Sequence, residues 1–143
     1  MDYRTAPEID EELLRIIRVL ELDHIDPVRV RAVRSRGSRS RRTLARCHGL
    51  PRAFQTGLNL SAHYVIELVS ENYDRLSEAE QIKTLIHELL HIPRAFGGGF
   101  RNHDYVRERR VNHFYDRYVR LKHRVDMREH AAHKQKDPED RAF

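Results

Sequence analysis

Four residues in the stretch Thr84 to His103, TLIHELLHIPRAFGGGFRNH, could do chemistry together: His87, Glu88, His91 and, beyond a run of three glycines, His103. Histidines four positions apart on a helix project from one face, so two imidazoles can share a single tetrahedral ion. A glutamate beside the first of them can hold a water on that ion and take its proton. The pattern is that of a zinc hydrolase, with Zn2+ as expected cofactor, His87 and His91 as metal ligands and Glu88 as catalytic general base.

His103 is the expected third ligand. It lies twelve positions after His91, too far for the metzincin spacing, but Gly97 to Gly99 can fold the chain back. A third imidazole would leave one coordination position open for water. Glu108 is the alternative, since other zincins draw a glutamate from the following helix. Asn102 and Asp104 are candidates for orienting the ligands by their neighbourhood. No oxyanion-stabilising side chain is assigned; Tyr105, Tyr115 and His113 are the candidates, and Tyr115 fits an apolar stripe better. Cys47 and His48 lack the context of a nucleophile or a second metal site.

The positioning elements can be read around this core. Ser77-Glu-Ala-Glu80 is a capping box that opens the metal helix. Ile82, Leu85, Ile86, Leu89 and Leu90 form its apolar stripe, roughly opposite the two histidines, and Pro93 ends it. Upstream, His63 to Ser70 alternates as a strand, followed by a polar connection over 71–76. At the N-terminus Thr5-Ala-Pro-Glu8 reads as a capping box with Thr5 as N-cap, ahead of Ile9, Leu13, Ile16, Ile17 and Leu20 on one face of a helix reaching about Leu22. Val28 to Ser35 and Arg39 to Cys47 read as two strands of a hairpin around Arg36-Gly37-Ser38, with an irregular crossing from His48 to Ala62. From about Asp104 a long C-terminal helix is expected. Past Met127 its apolar periodicity is lost, and fraying or disorder is expected there.

Composition bounds the function classes. The chain has 143 residues, 34% of them charged and 39% hydrophobic, which suits one domain over 1–127 with a polar tail over 128–143. No apolar run approaches the ~20 residues of a membrane helix, and the acidic N-terminus lacks the apolar core of a secretory signal. The expectation is therefore a cytoplasmic protein without a membrane partner. One cysteine excludes an internal disulfide and a cysteine-rich zinc knuckle. The net charge of +5 is regional: residues 1–26 carry eight acids and three arginines, whereas 27–66 carry nine arginines and no acid. The basic segment 28–46 could attract phosphate backbones, although it lacks interleaved aromatics for base stacking.

Together, TLIHELLHIPRAFGGGFRNH, RCHGLPRAFQTGL and YVIELVSENYDRLS resemble the small predicted HExxH metallopeptidases of archaea and their phages. The resemblance implies an α+β, zincin-like minimal metalloprotease domain with an N-terminal helix, a small β-sheet, the HExxH helix and a long C-terminal helix. It implies ligands at His87, His91 and His103 and a catalytic glutamate at Glu88. The chain is more distantly similar to SprT-like proteases, whose four-cysteine zinc ribbon it cannot form. By analogy with zincins, the strand 63–70 before the metal helix would be the edge along which a peptide substrate pairs. The function expected is therefore a zinc metalloendopeptidase acting on peptide or protein. The alternatives are a nucleic-acid-associated binding protein with a structural zinc and an arginine-rich hairpin, and a zinc hydrolase of non-peptide amides.

Overall fold

The computed structural model describes residues 1–134. It is a mixed α+β fold built on a four-stranded sheet: β1 (Asp2–Thr5), β2 (Val30–Arg36), β3 (Ala45–Gly49) and β4 (Tyr64–Val69). The helices are α1 (Pro7–Val19), α2 (Arg52–Gly57), α3 (Ser70–Tyr73), α4 (Glu78–Leu90) and α5 (Glu108–Lys134), with a single 3-10 turn at Pro27–Arg29.

The strand order is β1-β2-β4-β3. β4 takes the centre because YVIELV is apolar towards both faces, and five of its six residues are buried. It pairs parallel with β2, Val30 opposite Tyr64, and antiparallel with β3, Cys47 opposite Ile66. The expected hairpin of 28–47 therefore does not form: β4 separates its two arms. Arg39 to Thr43 lacks apolar alternation and instead turns as a loop. The Ser40 hydroxyl accepts from Thr43 N–H, and the Asn72 amide donates to the Ser40 and Thr43 carbonyls at 2.9 and 2.8 Å.

The N-terminal capping box is also overturned. Residues 2–5 form β1, antiparallel to β2 with Thr5 opposite Val33, and Ala6 is the N-cap without a side-chain bond. A ladder of backbone bonds outweighs one side-chain cap. Two local elements were also absent from the sequence reading, α3 within the expected connection and α2 within the expected crossing. The expected cap on the metal helix is present, Ser77 Oγ accepting from Glu80 N–H at 3.2 Å.

One sheet face carries Tyr64, Ile66 and Leu68, all fully buried, and packs with Leu13 and Ile16 of α1 and Leu85, Ile86 and Leu89 of α4 in a single core. α5 closes the layer through Val111 and Tyr118, whose hydroxyl donates to Glu12 at 2.9 Å. It continues past Met127 to Lys134, where charge pairs take over from the fading apolar stripe: Arg15 meets Asp126, and Arg18 meets Glu129 at 3.5 Å. Residues 135–143 of the expected tail lie outside the described residues.

Half of the eight arginines of the basic block are matched internally. Arg29 pairs with Asp26 at 3.2 Å, Arg31 with Asp10 at 3.8 Å, Arg34 with Glu8 at 3.1 Å and Asp74 at 2.6 Å, and Arg46 with Glu67 at 2.9 Å. Glu67 is a buried carboxylate that also accepts from Ser35 Oγ at 2.6 Å and His48 Nε2 at 2.8 Å, tying β2 and β3 to β4. Burial alone would raise its pKa, but these hydrogen bonds and the Arg46 charge hold it below the usual carboxylate range. No helix of the described residues is long and apolar enough to cross a membrane.

Adjacent leucines of α1 give a test of the core. Leu13 is 1% exposed and Leu14 39%. Leu13→Ala should lose ~2–5 kcal/mol in urea unfolding, whereas Leu14→Ala should stay within ~0.5 kcal/mol of the parent.

Candidate metal centre

The face of α4 opposite its leucine stripe presents His87 and Glu88, and His91 sits at its C-cap. The chain then passes Pro93, reverses through Gly97 to Gly99 and returns His103 to the same place. One ligand atom from each of His87, His91 and His103 lies within 4.8 Å of the others. His87 Nε2 and His91 Nε2 are 3.2 Å apart. Two nitrogens bound to one tetrahedral zinc at its usual bond length sit about 3.3 Å apart, so this pair is already at ligand spacing.

The chemistry of the donors fits a cation. The Arg101 carbonyl can only accept, so His91 Nδ1, 2.6 Å away, carries the proton and Nε2 keeps its lone pair for a metal. Burial, reinforced by His91 and His103, pushes the His87 imidazole down to about 4. Burial also lowers His91. His87 is therefore neutral, the form that ligates, at neutral pH.

Contacts far apart in sequence shape the turn that delivers His103. Arg101 N–H donates to the His91 carbonyl at 2.7 Å, completing a reciprocal pair with the His91 Nδ1 bond. The buried Tyr64 hydroxyl accepts from Gly98 N–H and donates to the Gly99 carbonyl, both at 2.8 Å. Gln55 donates to the Gly97 and Leu50 carbonyls. Gly98 has φ +101°, and a Cβ there would lie 2.5 Å from the Leu50 carbonyl oxygen. Tyr64 and Gln55 have no role in the sequence pattern, where Tyr64 is simply one residue of an alternating strand. Nothing in the local pattern marks either.

Two cavities of about 590 and 360 Å3 share Ala45, Glu88 and His103 and so form two halves of one cleft along β3. Glu88 is 7% exposed, and burial raises its carboxyl to about 7. Glu108, the alternative ligand, lines the larger half but lies outside the three-histidine group. Asn102 shapes the loop, its Oδ1 accepting from Asp104 and Tyr105 N–H. Tyr105 is held between the Arg101 and Arg110 guanidiniums, at 4.2 and 4.0 Å from its ring centre. Tyr115 lies under Lys83, and His113 meets Phe114 edge-on. None of these three lines the cleft. Asn112, which the sequence did not single out, does.

β4 is central, so the edge beside the cleft is β3, contrary to the expectation for 63–70. The Leu50 N–His63 O and Val69 N–Leu44 O bonds fix the phase of the β3–β4 ladder. By its alternation, the amides and carbonyls of Ala45, Cys47 and Gly49 turn outward. Gly49 is jammed against the glycine turn: a Cβ there would lie 2.5 Å from the Gly98 carbonyl oxygen.

A family model described as "Putative phage metallopeptidase" matches residues 1–131, and the chain belongs to that family. No curated protein and no solved structure matches it.

Cys47 on β3 lines the smaller half of the cleft, and burial, with Glu88 nearby, pushes its thiol up to about 12. The folded, metal-free protein at pH 8 should therefore alkylate with iodoacetamide on the order of 10³ times more slowly than an ordinary cysteine. Full labelling should return in denaturant, and equal rates in both states would show the thiol to be exposed.

Proposed function

We propose that this member of the phage metallopeptidase family is a zinc-dependent endopeptidase in which His87, His91 and His103 hold the ion and Glu88 is the general base. The observation that carries the reading is the convergence of three imidazoles on one point beside a buried carboxyl, in a cleft that runs along an open strand edge. When bound, the ion supplies Lewis acidity to the scissile carbonyl and to the attacking water.

The chain's own residues account for the rest. An extended peptide can add to β3 as a further strand through the outward groups of Ala45, Cys47 and Gly49. Its scissile bond then lies over Glu88, which is common to both halves of the cleft. Glu88 takes the proton of the water as it attacks and passes it to the departing amine nitrogen. A carboxyl lifted to about 7 is well matched to a proton transfer in both directions near neutral pH. The base must be ionised to act, so activity falls as pH drops through its pKa. The charge of a bound ion moves that acid limb to or below pH 7.

Glu88→Gln should keep its metal by elemental analysis but lose ~10²–10⁴-fold of the cleavage of an unfolded, fluorescently labelled protein. His91→Ala should lose the metal and the activity together. Undiminished cleavage by Glu88→Gln would remove the assigned base. Full metal content in His91→Ala would remove the assigned centre.

A further inference from the structure

A separate cavity of about 540 Å3 lies between the C-terminal end of α4, the residues following α1 and the first turns of α5. Its volume is in the range of small-molecule sites. Leu20, Leu90 and Phe114 give it an apolar lining, and Arg94, Arg101 and Arg117 bring three guanidiniums to its wall.

Among the described residues, the half-buried arginines outside this region, Arg15, Arg29, Arg34 and Arg46, each have a carboxylate partner. Among the described residues, no carboxylate comes within 4 Å of Arg94, Arg101, Arg110 or Arg117. Arg101, Arg110 and Arg117 are nevertheless half-buried. Arg101 and Arg110 also crowd the same ring, that of Tyr105. Holding cations together and partly out of water without counter-charge is unfavourable. An anion in the cavity would offset that repulsion and accept the paired N–H donors that a guanidinium presents.

The remaining charges narrow the ligand. Glu21 and Asp23 are exposed at the rim, so the lining is only weakly basic overall and lacks the extended positive track of a nucleic-acid groove. The cavity opens to solvent and is lined by three separate arginines beside an apolar surface. We propose that it binds a small organic anion, a carboxylate or phosphate monoester with an apolar or aromatic body, through Arg94, Arg101 and Arg117. Arg101 also lines the smaller half of the histidine cleft, and its backbone holds His91. The ligand therefore docks on the residue that closes the metal turn. The proposal does not depend on the peptidase reading.

Calorimetric titration of the metal-loaded chain tests it, with phenyl phosphate and 3-phenylpropanoate as separate arms and inorganic phosphate as the arm without an apolar body. At least one aromatic anion should saturate a single site, more tightly than inorganic phosphate, and the better of the two identifies the head group. Loss of one charge-assisted fork should weaken binding about tenfold in Arg94→Ala and in Arg117→Ala. Arg117→Lys, which keeps the charge and guards against misfolding, should lose less. The metal-free parent should bind as the metal-loaded one does, because the site is not the metal. No saturation by either aromatic anion would overturn the proposal. So would parental affinity in Arg94→Ala and Arg117→Ala, or loss of binding in the metal-free parent.

Discussion

Two hydrogen bonds between His91 and Arg101, one from each residue to the other's carbonyl, set the geometry on which the candidate metal centre depends. They close the turn that follows α4 and fix the orientation of the second histidine's ring. They also require the chain to travel out and back in ten residues, which explains the demand for glycine at the tip. The loop is anchored by Phe96 and Phe100 against the Tyr64 ring and held by hydrogen bonds from the Tyr64 hydroxyl and the Gln55 amide. The third histidine is thus placed by the strand beneath the loop as much as by the loop itself.

That dependence explains what could be read in advance. The capped helix with opposed leucine and histidine faces was legible because its determinants lie within one 3.6-residue period. The return of His103 could be anticipated from three glycines, but not the parts that make it stop where it does. Tyr64 lies 27 positions before His91, as the numbering shows, and its role depends on tertiary packing alone.

The strand errors have the same origin. Val30 to Arg36 and Ala45 to Gly49 do form strands, but local pattern cannot reveal that a third, more apolar strand inserts between them. Nor could Thr5 be seen to join a ladder rather than cap a helix, because its partner Val33 is 28 positions away. Charge behaves likewise. Read linearly, the acidic N-terminal region and the arginine block are two unlike segments. In the fold Arg31 and Arg34 meet Asp10 and Glu8, so part of the basic block is matched by acids of the N-terminal region.

The edge strand β3 is only five residues long and is closed at one end by the contact of Gly49 with the glycine turn. At about 3.4 Å per residue such an edge is ~17 Å long. A polypeptide lying along it must be extended over that distance, with its own backbone hydrogen bonds already released. Helices and sheet interiors do not meet that condition while they stay folded. As the substrate groove proposed above, a slot of this shape would select by conformational state before side chain, favouring unfolded, nascent or frayed segments over intact proteins.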